Sequence, residues 1–463
     1  MNPSTGQSGG RLTPASLAAL LAVAIFPLAC WLRLPGLSGI RTMQIGYAVA
    51  AAGWLYLVWV CSGSRGFSLY RSFAAPPLAW LLVTAVAVRF ALLPLPPSDD
   101  LYRYVWEGLV RTHGVNPYAT APDDPSLAQL RPPWFSQINH PDHTAIYPPL
   151  AQVMFTGLAR VAPRPIAFKL LMLAADLGAI WLLLRAARRR RAPPQCVAVY
   201  ALCPLVLTAF AREGHIDALM VLGLTLVLYA GAAPAALRWS DVLAVAAGLG
   251  LAIGSKWVAL LLVPWAVVRA LRPLTRAQVV RCAAMLVLTG LIIALPALAY
   301  LDHGPAALFR PLRNFATSFH NLDYFRQILL EYLSARTAQY LSLLAIGGVA
   351  IGVAARRGDA PRAMLWSLGA LILLAPTVHP WYLTWLLPAL CLRPAWPWLV
   401  LAVSMVFAYE GDHLRETTGT WAQPEWVAPA VWWPLMVAAA AWGLMALGHL
   451  RARRDLDDSG NRP

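Results

Sequence analysis

Residues 165–191 read Pro165-Ile-Ala-Phe-Lys169-Leu-Leu-Met-Leu-Ala-Ala-Asp176-Leu-Gly-Ala-Ile-Trp-Leu-Leu-Leu184-Arg185-Ala-Ala-Arg-Arg-Arg-Arg191. Twenty residues, nearly all apolar, run straight into five arginines. A helix of that length rises about 30 Å, the thickness of a bilayer's hydrocarbon core. The arginine cluster at its end marks a cytoplasmic boundary, because short loops rich in Lys and Arg stay inside. The pattern repeats along all 463 residues. Apolar runs fall near 13–32, 43–61, 77–95, 165–184, 195–211, 216–237, 240–254, 257–268, 278–300, 337–355, 363–378, 380–393, 395–410 and 427–449. The composition agrees: 59% of residues are hydrophobic and only 13% are charged, about half the charge of a soluble domain. A soluble enzyme, a disordered tail and a nucleic-acid-binding protein are excluded. The expected fold is an all-α polytopic membrane protein of about 12–14 spans, one integral domain over 1–463, with external loops carrying short helices.

Further arginine clusters lie at Arg269 to Arg276, Arg356 to Arg362 and Arg451 to Arg454. Even numbers of runs separate consecutive clusters, so one side holds all of them. On this topology the net charge of +16 is carried on the cytoplasmic face, opposite anionic lipid headgroups. Both termini are expected inside. Arg11 followed by apolar residues from Leu12 to Leu32 resembles a signal peptide, but with many spans after it the segment reads as the first transmembrane helix. Ile146–Ala162 is apolar enough to span, yet a span there would put the Arg185 cluster outside. Residues 146–164 therefore read as a re-entrant or outer-leaflet segment. The six cysteines sit in or beside apolar runs, with neither disulfide nor zinc spacing.

Polar chemistry concentrates on the external side. A first large loop covers 96–145 and a second covers 302–336, the latter with Phe315, Phe319, Tyr324 and Phe325. Tight turns carry Arg212-Glu-Gly-His215-Ile-Asp217 and His379-Pro-Trp-Tyr382, and a last loop holds Glu410 to Trp426. The first loop opens with Ser98-Asp99-Asp100-Leu-Tyr102-Arg103-Tyr104-Val-Trp-Glu107-Gly108. Ser98 is a candidate N-cap, and Asp100, Arg103, Tyr104 and Glu107 share one helical face. Acids in a first turn complement the helix dipole, and Asp99 with Arg103 has ordinary i,i+4 spacing. The alternative is a carboxylate at the membrane boundary, placed to take a proton from an acceptor hydroxyl. Gly114-Val-Asn-Pro-Tyr118 and Ile138-Asn139-His140-Pro-Asp142-His143…Tyr147-Pro-Pro-Leu-Ala-Gln152 follow, an aromatic-rich loop suited to a lid. Lys169 and Asp176 lie within a span, where ionisable groups are functional candidates by default. Asp176 is equally suited to an interhelix hydrogen bond. Lys256, with Arg212, is the best candidate for holding an anionic group at the outer boundary.

Together these segments resemble the polytopic GT-C glycosyltransferases, above all the bacterial polyprenyl-phosphate-mannose-dependent α-mannosyltransferases. The eukaryotic GPI mannosyltransferase is similar in outline. The resemblance runs from about residue 96 to 390 and includes Gly214-His-Ile-Asp217, Gly254-Ser-Lys256 and His379-Pro-Trp-Tyr382. Two extra spans precede the motif here, where it usually follows the first helix, and position 107 is Glu where relatives commonly have Asp. The resemblance implies a GT-C-type helix bundle in a bacterial inner membrane. It implies transfer of a hexose, with mannose the first choice, from a polyprenyl-phosphate donor to a lipid or glycan acceptor outside. Asp99 or Asp100 is then the general base. Lys256, Arg212, Arg103 and His379 are candidates for the donor phosphate. Tyr102, Tyr104, Glu107, Asn139, His140, Asp142, Tyr147, His215, Asp217 and Tyr382 are candidates for substrate. Polyprenyl phosphate is a good leaving group, so one base suffices for a single inverting displacement. A nucleotide-sugar donor would need a cytosolic phosphate-cradling domain, and no apolar-free stretch on the cytoplasmic side is long enough for one. The external acids could bind a divalent metal, but no clear ligand set stands out. The alternatives are a lipid-linked sugar flippase, whose polar groups belong near the midplane, and an O-antigen-type polymerase or ligase, whose large loop comes late in the chain.

Overall fold

The computed structural model describes residues 12–32, 34–61, 75–232 and 236–460, with side chains as far as residue 448. Arg11 and the side chains of Arg451 to Arg454 lie outside the described residues. The N-terminal part comprises α1 (Pro14–Trp31), α2 (Gly39–Cys61) and α3 (Leu78–Leu92). The first large loop folds as α4 (Asp99–Thr112) and, after an irregular stretch, α5 (Pro149–Val161). Next come α6 (Pro165–Arg189), the bent α7 (Pro194–Ala201 with Pro204–Arg212), α8 (Asp217–Gly231), α9 (Trp239–Ser255), α10 (Trp257–Ala270) and α11 (Arg276–His303). The second large loop holds α12 (Pro305–Ser318) and α13 (Tyr324–Leu330). The chain ends in α14 (Ala335–Ala355), α15 (Ala360–Leu374), α16 (Pro380–Leu392), α17 (Trp396–Ser404), α18 (Glu410–Thr418) and α19 (Val427–Gly460).

Every apolar run of the sequence is helical. Among the described residues, six helices are long and apolar enough to cross a membrane by themselves, and the bent α7 makes a seventh if it counts as one span. The others are shorter. The clearest is α8, enclosed by α6, α9 and α16 and buried along most of its length. A helix surrounded by protein meets other helices and not lipid, so its length is not tied to bilayer thickness. α5 occupies the Ile146–Ala162 segment. Pro149 stands at its first position, where a missing N–H costs nothing. Its 13 residues rise about 20 Å, short of a span.

Two features fix the core. At the crossing of α8 and α9 the backbones touch. A Cβ on Gly223 would lie 2.5 Å from the Gly248 carbonyl oxygen, and one on Gly248 would lie 2.7 Å from the Gly223 carbonyl oxygen. Only small residues permit such an approach. The second feature is the 54° bend of α7. Pro204 supplies no N–H, so carbonyls at the break need other partners. Arg89 of α3 donates to the Ala201 carbonyl at 2.6 Å and forms a two-pronged pair with Asp176, at 2.6 and 3.1 Å. Tyr200 donates to the same carboxylate at 2.8 Å. Arg89 and Asp176 are both fully buried. The charge in α6 is thus an interhelix tie, and Arg89 is its partner. Lys169, about two turns away, donates to the Leu95 carbonyl at 2.7 Å.

The arginine-rich ends gather at one pole: Arg189 pairs with Asp241 at the start of α9, and Arg190 with Asp359 just before α15. The starts of α4, α8 and α16 and the end of α9 meet at the other pole.

Candidate active site

The polar pole is assembled around α4. Ser98 does not cap this helix through its side chain. Its N–H and hydroxyl both donate to the Glu213 carbonyl, at 3.1 and 3.2 Å, so the helix start is docked onto the turn after α7. That turn needs Gly214, which has φ +78°. A Cβ there would meet Leu101 of α4 at 2.3 Å. The pairing of Asp99 with Arg103 does not form either. Arg103 is buried and spends its guanidinium on Glu107 at 2.7 Å and on the carbonyls of Asn139, His140 and His143. Its role is to fold the 138–145 loop against α4. Glu107 also accepts from Gln152 of α5 at 2.5 Å.

The two adjacent acids have different surroundings. Asp99 lies at the rim, one-third exposed, and accepts from Arg415 at 2.9 Å; Arg415 also bonds Asp412. Asp100 points inward. Asn139 donates to one of its oxygens at 2.5 Å, and His215 Nδ1 lies 3.3 Å from the other. Burial pushes the Asp100 carboxyl up. The contacts from His215 and Asn139, with the fields of His215 and His379, outweigh that and hold it below the ordinary carboxylate range. It is ionised throughout the physiological range.

His215 faces Glu213 at 3.2 Å on its other nitrogen. Its ring stacks on Trp381, with centroids 3.8 Å apart, and the opposite face of Trp381 stacks on His379 at 4.5 Å. Burial alone would lower the His215 pKa, but Asp100 and Glu213 raise it to about 9. His379 has no such carboxylate pair. Burial pushes it down to about 3, against the pull of Asp100. One indole therefore separates a cationic imidazole from a neutral one.

Lys256, at the end of α9, pairs with Asp217 at the start of α8 at 2.9 Å. Its ammonium lies over the rings of Tyr382 and Trp385, 4.4 and 5.2 Å from their centroids. Asp217 also accepts from Trp385 at 2.6 Å. Arg212 pairs with Glu213 at 2.8 Å. These groups border a cleft of about 1380 Å³. The two large loops meet beside it, where His140 and His143 pack edge-on against Phe319. Asn321 ties the second loop to the α15–α16 break by backbone hydrogen bonds with Pro376 and Val378. Between α14 and α15 the wall turns apolar, with Leu343, Ile346, Leu371 and Ile372.

Of the residues singled out in the sequence, Asp99, Asp100, Arg103, Glu107, Asn139, His140, Asp142, Tyr147, Arg212, His215, Lys256, His379 and Tyr382 border this cleft. Asp217 is fully buried behind it and acts through Lys256. Tyr102 and Tyr104 do not face it. Tyr102 packs on Trp134 at the opposite side of α4. Tyr104 is core, stacked on Phe155 at 4.9 Å and crossed by Tyr147. Both lie in the motif, but only every third or fourth residue of a helix can face one space. Glu213, Trp381, Trp385, Asn321, Asp412 and Arg415 complete the site and were not singled out. Glu213 and Trp381 lie inside quoted turns. Arg415 comes from the last polar loop, which carries no periodic or spacing signal. Among the described residues, no group of three or more His, Cys, Asp or Glu is placed to hold a metal ion.

Residues 15–272, more than half of the chain, match the family model described as alpha-(1->6)-mannopyranosyltransferase, N-terminal domain. The chain belongs to this family. It is a multi-pass mannosyltransferase, and the match spans α4, the Arg212–Asp217 turn and Lys256, so three walls of the cleft fall within it. No curated protein and no solved structure matches the chain.

Proposed function

We propose that this mannosyltransferase moves mannose from a polyprenyl-phosphate donor to an acceptor hydroxyl at the external face of a bacterial inner membrane, with inversion. Asp100 is the base. The acceptor oxygen attacks the anomeric carbon, the bond to the phosphate oxygen breaks with its electron pair, and Asp100 takes the acceptor's proton. A carboxylate this acidic is a weak base at rest. It suffices when transfer is late, because the attacking hydroxyl becomes strongly acidic as the new bond forms. Lys256 holds the departing phosphate, in a cleft where low polarity strengthens its field. His379, being neutral, can both donate to and accept from a sugar or phosphate.

The observation that carries this reading is that Asp100, Lys256 and His379 border one cleft whose wall continues as an apolar face between α14 and α15. That face suits an isoprenoid tail. The external placement is supported by the arginine-rich loops at the opposite pole.

The test is transfer by purified protein supplied with polyprenyl-phosphate-[¹⁴C]mannose and a lipid extract of the host, wild type against Asp100→Asn. Label entering a new glycolipid with wild type only is the expected result. Donor crossing sealed vesicles unconsumed would replace the transferase reading with a flippase.

A further inference from the structure

We propose that His215 is a positioning residue which, as an imidazolium clamped between Asp100 and Glu213, keeps Asp100 ionised and aimed at the acceptor hydroxyl. This rests on the reading of Asp100 as the base.

The geometry selects the charged form. A neutral imidazole has one N–H and one lone pair. Here Nδ1 lies 3.3 Å from Asp100 Oδ2 and Nε2 lies 3.2 Å from Glu213 Oε2. The Nε2 contact is a hydrogen bond, whereas the Nδ1 contact is an ion pair by distance without an aligned hydrogen bond, so it is the positive charge of the doubly protonated ring that answers both carboxylates. The ring is 1% exposed, so water does not replace either partner. Stacking on Trp381 fixes its plane and adds a cation–π attraction.

The surrounding charges are consistent with this. From α4 comes Asp100. From its own turn comes Glu213, whose charge is shared with Arg212 at 2.8 Å and with the Tyr409 hydroxyl at 3.3 Å. From the α15–α16 break comes His379, beyond Trp381. Beneath Gly214 runs the stem of Lys169, its ammonium turned to the Leu95 carbonyl. Two carboxylates thus bracket one imidazole, and the nearest cation that opposes its charge is already committed to Glu213. Asn139 donates to one oxygen and the charge of His215 lies 3.3 Å from the other, which orients the Asp100 carboxylate at the edge of the cleft.

The consequence is a pH profile with a particular shape. Asp100 is aimed, and its pKa held below the ordinary carboxylate range, only while His215 is charged; when the ring loses its proton the carboxylate stays ionised but is no longer held. The reaction therefore has no acidic limb near neutrality and an alkaline limb where His215 loses its proton, at about 9. Removing His215 takes away that limb and lets the Asp100 pKa rise to or above the ordinary carboxylate value of about 4.

The experiment measures kcat and KM for mannosyl transfer from pH 4.5 to 10 in wild type, His215→Asn, Glu213→Gln and Asp100→Asn. Donor binding by each variant serves as the check of folding. In His215→Asn the expected result is loss of the alkaline limb and a new acidic limb. Its kcat is expected to be lower by about 10-fold or more and its KM for donor little changed. Glu213→Gln keeps the imidazole and its stack, so it tests the clamp if His215→Asn does not fold. Its alkaline limb is expected to move down by about one pH unit or more, because one of the two raising charges is gone. A His215→Asn profile superimposable on wild type, or an alkaline limb unmoved in Glu213→Gln, overturns the proposal. Full activity of Asp100→Asn overturns the base assignment itself, and the proposal with it. An inactive Asp100→Asn with unmoved profiles in the other two overturns only the role of His215.

Discussion

Asp99 and Asp100 are neighbours with different tasks. Asp100 is aimed into the cleft and pinned by Asn139 and His215, whereas Asp99 bridges to Arg415 at the rim. Asp100→Asn is expected to lower kcat by about 100-fold or more, the range for a lost general base. Asp99→Asn is expected to lower it by less than about 10-fold, since its partner stays solvated. Equal losses in single-turnover assays would reverse or merge the two roles. Lys256→Ala removes a charge-assisted contact of about 1.5–3 kcal/mol, so donor affinity is expected to fall by about 10- to 100-fold. It also strands Asp217, which is fully buried. The double variant Lys256→Ala with Asp217→Asn is therefore expected to fold better than the single one while binding donor equally poorly. Donor affinity equal to wild type in either would remove Lys256 from the phosphate site. Here the sequence was informative about residue type and blind to partners. An Asp-Asp motif and a Lys between two apolar runs could be read directly. That Arg103 belongs to a loop and Lys256 to Asp217 could not, because those pairs close across distances in the chain that no spacing rule covers.

Elements carry these residues into register. Asp217 opens α8 and Lys256 ends α9, and the two helices touch backbone to backbone at Gly223 and Gly248. The crossing lies about 9 Å below Asp217 and about 12 Å below Lys256 along the axes, so it acts as the pivot of the pair. Gly223→Val forces the helices apart, at a cost of about 1–3 kcal/mol or more. The expected outcome is a lower melting temperature in detergent and a higher KM for donor. A variant with wild-type KM would show that the pair is set by something other than this crossing. Helix positions were legible because a run of apolar residues in a bilayer has one low-energy conformation, which satisfies its own backbone hydrogen bonds. The bend of α7 was not. Pro204 announces a break, but its tolerance depends on Arg89 reaching the freed Ala201 carbonyl from another helix. For the same reason Asp176 could be listed as a candidate from sequence, while its buried pairing with Arg89 and Tyr200 is a tertiary fact.

At the scale of the whole molecule, the two poles differ in chemistry. Arg189 and Arg190 mark one, and the cleft marks the other. In a background with the six native cysteines replaced, Arg190→Cys is expected to be shielded from an impermeant thiol reagent added outside intact cells. Labelling there would invert the topology and place the cleft on the inner side. The sequence by itself determined that the chain is helical and membrane-spanning, where its helices lie and which segments carry polar chemistry. Those properties follow from local composition set against a solvent that rejects unpaired polar groups. Only the tertiary structure decided which carboxylate is held inward and which lies at the rim of the cleft, which cations are committed to protein and that one indole stacks on two imidazoles with different charged neighbours. Those outcomes depend on contacts between segments as far apart in the chain as Asp100, His215 and Trp381, and on the burial that sets how strongly neighbouring charges act on one another.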